Sequence, residues 1–102
     1  MKTREEVQQL LEDILGSDNV YFQEPPNKEM KYPAIVYSFN NFNRMDADDK
    51  PYILHGRYQV IHMYRHIKND LKTKFITEIP YCYFERRMVT NGIYNDYYVI
   101  NI

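Results

Sequence analysis

Hydrophobic positions follow two different periods along this chain. Val7, Leu10, Leu11, Ile14 and Leu15 fall at i, i+3, i+4, i+7 and i+8, a single stripe of an amphipathic helix. Thr3 and Glu6 supply a capping box ahead of the stripe. Gly16 stands where a glycine ends a helix. The period then changes to two. Val20 and Phe22 alternate with Tyr21, which predicts a short strand over Asn19 to Gln23. Glu24 to Lys28 contains paired prolines and must leave the sheet. Pro33 opens a second strand, Ala34 to Phe39.

Asn40 to Pro51 reads as a polar loop of about a dozen residues, long enough to be a working loop. Tyr52 to Arg65 is a long strand-like stretch. Tyr58, Val60, His62 and Tyr64 share one face; Arg57, Gln59, Ile61, Met63 and Arg65 share the other. Neither face is cleanly polar, so partial cover on both is expected. Gly56 is a candidate bulge or bend. A second helix follows, capped by Asn69 or Asp70, with Leu71, Phe75, Ile76 and Ile79 as its stripe and Pro80 as its stop. Tyr81 to Val89 and Ile93 to Ile102 are strands joined at Thr90-Asn91-Gly92. Asn-Gly between alternating runs signals a tight hairpin.

The order is α-β-β-β-α-β-β. The expected fold is an α+β domain spanning residues 1–102, an antiparallel or mixed sheet of about five strands with both helices on one face. The 102 residues suit a single domain. With 13 Lys and Arg against 14 Asp and Glu, the net charge is −1. That removes the main argument for a protein that coats nucleic acid. Hydrophobic residues at 44% and charged residues at 26% fit a folded chain. No apolar run approaches the roughly 20 residues of a membrane span. Met1 to Glu6 is charged and no apolar stretch follows, which argues against a secretion signal. The single cysteine, Cys82, forms no internal disulfide and suggests a cytosolic setting. Eleven tyrosines and five phenylalanines stand out, with no tryptophan. They either fill a small sheet core or make a contact surface.

Candidate chemistry is sparse. His55, His62 and His66 are the only histidines. His62 and His66 sit some 13 Å apart along an extended strand, so no metal site is expected from them, with or without Cys82. Asp46-Ala47-Asp48-Asp49 lacks the glycine and distal glutamate of a calcium loop. Glycines at 16, 56 and 92 are too scattered for a phosphate cradle. Ser17 and Ser38 lie in no nucleophile elbow. Glu5 and Glu6 read as a solvated helix face. No catalytic residue, cofactor or metal is expected, and the protein is read as non-enzymatic. Cys82 with a histidine is the weakest alternative, as a hydrolase. Arg57, Arg65 and Arg87 among the tyrosines raise another, a small module binding single-stranded nucleic acid. Cross-strand pairing with Glu85 and Asp96 competes with that patch.

The residues also resemble a known family. Val20-Tyr21-Phe22-Gln23-Glu24-Pro25-Pro26, then Met30-Lys31-Tyr32-Pro33-Ala34-Ile35-Val36-Tyr37, is similar to tail-completion or tail-terminator proteins of long-tailed phages and prophages of Gram-positive bacteria. Ala47-Asp48-Asp49-Lys50, Arg57-Tyr58-Gln59-Val60 and Ile79-Pro80-Tyr81-Cys82 extend the likeness in the same order. His66 to Asp70 departs from it, where similar chains carry a shorter, more acidic helix cap.

The resemblance implies a virion structural protein, present in the host cytoplasm during assembly. It would complete the tail as a hexameric ring and join it to the head connector. Its partners would be other copies of itself, the tail tube protein and the head–tail connector protein, with only passive DNA contact and no membrane. A head-completion or stopper protein is the neighbouring alternative. The expected interface is the loop, with Asn40, Asn41, Asn43, Arg44, Asp46, Asp48, Asp49, Lys50 and Tyr52 reaching a neighbouring subunit or the tail tube. A neutral or acidic channel lining would let the genome pass.

Overall fold

In the computed structural model the backbone is described for residues 2–23, 31–47 and 50–102, and side chains in those ranges outside 42–47 and 50–55. The elements are helix α1 (Arg4–Leu15), strands β1 (Val20–Phe22), β2 (Ala34–Ala47) and β3 (Lys50–Tyr64), a 3-10 turn (Ile67–Asn69), helix α2 (Lys72–Glu78), and strands β4 (Cys82–Thr90) and β5 (Ile93–Asn101). The fold is α+β, a five-stranded sheet in the order β1-β2-β3-β5-β4. Pairing is antiparallel except between β1 and β2, which run parallel.

Helix α1 forms as its sequence dictates. Thr3 Oγ1 accepts from the Glu6 backbone N–H at 3.2 Å, and the Glu6 carboxylate accepts from the Thr3 N–H at 3.0 Å. Gly16 ends the helix at φ 82°, its N–H bonded to the Glu12 carbonyl at 2.8 Å. A side chain there would be strained in the left-handed region. Val7, Leu11 and Ile14 are buried.

Both helices pack on the same face of the sheet. The stripe of α1, with Phe75 and Ile79 of α2, joins Ile35, Tyr37, Tyr58, Val60, Tyr98 and Ile100 in one core. Burying each large apolar side chain contributes roughly 1.5–3 kcal/mol. Along β3 the alternation holds: Tyr58, Val60, His62 and Tyr64 are buried beneath the helices. The opposite face, with Arg57, Gln59, Ile61 and Met63 half-buried, has no helix over it among the described residues.

Three expectations are corrected. Asn40 to Pro51 is not a loop: residues 40–47 continue β2 and residues 50–51 begin β3, the two strands pairing from Asn41 with Arg57 to Ala47 with Lys50 across one register shift. Long-range backbone pairing overrides the weak strand preference of asparagine and aspartate. Second, the bulge near Gly56 lies on the partner strand, where register shifts between Phe39 and Asn41. Gly56 is instead a close-approach glycine. It exchanges two 3.0 Å backbone hydrogen bonds with Ile102, and a Cβ there would stand 3.0 Å from Tyr58 Cε2. Third, Ile76 is exposed. The seven-residue α2 buries only the stripe through Phe75 and Ile79.

Helix α2 begins at Lys72, and Leu71 at its N-cap position gives no side-chain cap. Asp70 does the capping work one residue earlier, its Oδ1 accepting from the Lys72 N–H at 2.7 Å.

The β4–β5 hairpin turns through Asn91 and Gly92, at φ 52° and 75°. Both residues in the left-handed region make the turn that the right-handed strand twist favours.

Candidate interaction surfaces

Sheet pairing leaves part of the β2–β3 hairpin outside the sheet body. Strand β5 pairs with β3 only from Arg57 to Tyr64, and β1 pairs with β2 only through Tyr37. Among the described residues, 43–47 and 50–55 therefore pair only with each other, and Phe42 pairs with Gly56 at their base. Six strand residues extend about 20 Å at roughly 3.3 Å each, and the molecule measures 50 × 27 × 22 Å. The result is a two-stranded arm.

The predicted interface residues converge on this arm. Asn40 and Asn41 are exposed at its base, beside the register shift. Asn43 pairs with His55, Arg44 with Leu54, Asp46 with Pro51 and Ala47 with Lys50. A second register shift falls between Met45 and Asp46. Tyr52 lies within β3. Asp48 and Asp49 lie outside the described residues.

The β4 edge is a second surface, which the sequence reading missed. No strand pairs with the outer side of β4 among the described residues. Tyr81, Tyr83, Met88 and Val89 on or beside it are exposed, as is Ile76 on the neighbouring α2. The signal was present in the sequence. Apolar residues occur in both phases of β4, more than one covered face needs, and a register shift between Phe84 and Arg86 moves the phase.

Beneath the helices, one polar cluster ties β4, β5 and the start of α2 together. The Asp96 carboxylate is fully buried. It accepts from Arg87 Nε at 2.6 Å, from the same guanidinium at 3.1 Å, and from the Tyr64 hydroxyl at 2.7 Å. Arg87 also donates to Asp70 at 2.7 Å. These bonds hold the guanidinium protonated well above its ordinary range. Burial and the bond to Asp96 raise the Tyr64 phenol. Burial acts to raise Asp70, but the Lys72 amide and Arg87 outweigh it and hold its pKa below the usual value. The cluster is a brace; every charge in it faces an opposite one.

His62 lies beside that cluster, opposite Asp96 in the register. Its ring stacks on Tyr64 at 4.6 Å, and neither ring nitrogen has a hydrogen-bond partner among the described residues. Burial lowers its pKa to about 4, against the opposing pull of Asp96 and Asp70. The imidazole is neutral at pH 7 and forms one wall of a recess of about 150 Å³ with Leu15, Pro33, Lys68, Asn69 and Leu71.

Other residues that the sequence singled out stay apart. Burial raises the Cys82 thiol to about 11, which leaves little thiolate at neutral pH. Among the described residues no three His, Cys, Asp or Glu side chains are grouped to hold a metal ion. No helix among them is long and apolar enough to cross a membrane. Arg57, Arg65 and Arg87 do not make one patch. Arg87 is bound to carboxylates on the helix side of the sheet, whereas Arg57, bonded to Asn101 at 3.2 Å, follows the other phase of β3. Arg65 lies over the Tyr32 ring, eight residues further on and about 26 Å away at strand spacing. Arg86 alternates with Arg87, pairs with Glu85 at 2.9 Å and lies over Tyr97.

Comparison with family models, with curated proteins and with solved structures finds no match to this chain.

Proposed function

We propose that this protein is a non-enzymatic structural component of a phage virion. It completes the tail as a ring of its own copies and joins that ring to the head connector. Its partners in this reading are the tail tube protein and the connector protein, and it works in the host cytoplasm until it is built into the particle.

The arm is the observation that carries the reading. An isolated two-stranded ribbon is marginal in water. Its outer backbone edges offer unpaired N–H and C=O groups. Residues 42–47 and 50–55 pair with no third strand among the described residues. An arm of this kind gains its stability when another chain lies beside it, which suits a subunit designed for assembly. The exposed apolar side chains of β4 supply a second surface that assembly would cover.

Electron microscopy of particles assembled without this protein tests the proposal. Full heads beside detached tails of abnormal length are the expected result. Heads that leak DNA, with tails of normal length, would move the protein to the stopper position. Normal joined particles would overturn a neck role altogether. Removing Asp46 to Asp49 should give the detached-tail result from a chain that still folds.

A further inference from the structure

The β4–β5 hairpin is held in register by a loop of only two residues. Thr90 pairs with Ile93, and the pairing runs without a shift through Val89 with Tyr94 and Met88 with Asn95 to Arg87 with Asp96. Asn91 and Gly92, between them, are both exposed and both in the left-handed region, at φ 52° and 75°. Among the described residues no hydrogen bond holds the Asn91 side-chain amide or the Gly92 backbone N–H. A Cβ added at Gly92 would meet nothing within 4 Å, so that side of the residue opens to solvent.

The side-chain carbonyl carbon of an asparagine and the next backbone nitrogen are separated by the bonds of a five-membered ring. At Gly92 no side chain shields that nitrogen. We propose that Asn91 is a site of self-modification, converting in water to isoaspartate and aspartate. The Gly92 nitrogen loses its proton to hydroxide and attacks the Asn91 side-chain carbonyl carbon. A C–N bond forms, the bond to the amide nitrogen breaks, and ammonia leaves with a proton taken from water. The cyclic imide then adds one water. Opening at the side-chain carbonyl gives aspartate; opening at the backbone carbonyl gives isoaspartate, with the main chain routed through the former side chain. Either product lowers the formal net charge of −1 by one unit. This chemistry is independent of any role in a tail.

The other asparagines with described side chains lack that combination. Asn19 is half-buried and donates to the Pro33 carbonyl at 3.4 Å. Asn95 donates to the Met88 and Ile93 carbonyls at 3.3 and 3.1 Å. Asn101 is buried and accepts from Arg57 at 3.2 Å. Asn69 is half-buried and followed by Asp70, and exposed Asn40 and Asn41 are not followed by glycine.

The two products differ in what they do to the hairpin. Aspartate tolerates the left-handed region and keeps the turn. Isoaspartate adds a methylene to the main chain inside a loop whose two-residue length sets the strand register. The outer end of the hairpin then loosens, where Met88 and Val89 are exposed, and Arg87 and Asp96 lie three pairs in from Thr90 and Ile93.

Ageing the folded full chain in mildly alkaline buffer tests the proposal. Trypsin cleavage after Arg87 releases Met88 to Ile102, which carries Asn95 and Asn101 as internal references. Mass spectrometry against an unaged sample should show a gain of a single dalton at Asn91, at least tenfold faster than at either reference. Fragmentation should resolve both products. Asn91→Gly keeps a residue suited to the turn and should abolish the gain. In the purified isoaspartyl form, amides from Met88 to Asn95 should exchange at least tenfold faster than in the parent, while Asn91→Asp exchanges like the parent. No gain at Asn91 in the folded chain, or equal rates at all three asparagines, would overturn the site. Parent-like exchange in the isoaspartyl form would overturn its effect on the hairpin.

Discussion

Arg87 and Asp96 face each other across the β4–β5 hairpin, joined by hydrogen bonds of 2.6 and 3.1 Å. The carboxylate is fully buried and the guanidinium is partly open to solvent. The pair is thus lopsided. Losing Arg87 leaves a buried, uncompensated charge, whereas losing Asp96 leaves a cation that still reaches Asp70 and water.

Arg87→Ala should therefore destabilise the fold by about 3–5 kcal/mol, the range for breaking a buried pair from one side. Asp96→Asn keeps the acceptor for Tyr64 and one bond to Arg87, and should cost less. Replacing both residues with Met and Leu should recover much of the loss. Urea unfolding of the four proteins measures the difference. Equal costs for the two single changes would contradict the lopsided account.

Acid should weaken the protein through His62. Its folded pKa of about 4 lies below its unfolded value near 6.5. Between those two values the unfolded chain binds the extra proton, so the His62 contribution to stability falls as pH drops from 6.5 to 4 and levels off below. A difference of this size corresponds to on the order of 3 kcal/mol. His62→Leu removes the titrating ring and two buried nitrogens without partners. It should flatten the slope in that window and leave stability at pH 7 equal or slightly higher. Thermal midpoints across the window decide it. An unchanged slope would mean that other groups carry the acid sensitivity.

Gly56→Ala should cost about 1–2 kcal/mol by crowding. The added methyl would stand 3.0 Å from Tyr58 Cε2 and 3.5 Å from Phe39 Cε2, and Tyr58 is buried in the core. The loss should appear as a lower urea midpoint with an unchanged slope.

Local chemistry made much of this fold legible. The capping box, stripe and terminal glycine of α1 act within one helix, and all three stand as read. The Asn91-Gly92 turn sets the hairpin register, and that register alone places Arg87 opposite Asp96. The arm was not legible. Asn40, Asn41 and Asn43 carry low strand preference, and what makes them a strand is the backbone pairing of β2 with β3, which their composition does not announce. Asp70 also joins the cluster only through tertiary packing. Ile76 misleads because its spacing fits the stripe, while α2 is too short to bury a second row.

Strand β3 has neighbours on both sides over Arg57 to Met63 and, among the described residues, on one side only over residues 50–55. One continuous strand should thus carry two regimes of amide hydrogen exchange. The inner amides should exchange only when the whole domain unfolds, the outer ones through local opening of the ribbon. If a partner chain lies beside the arm, exchange along the outer half should slow while the inner half stays unchanged. The strand would then serve as a built-in gauge of assembly, with its own inner residues as the reference.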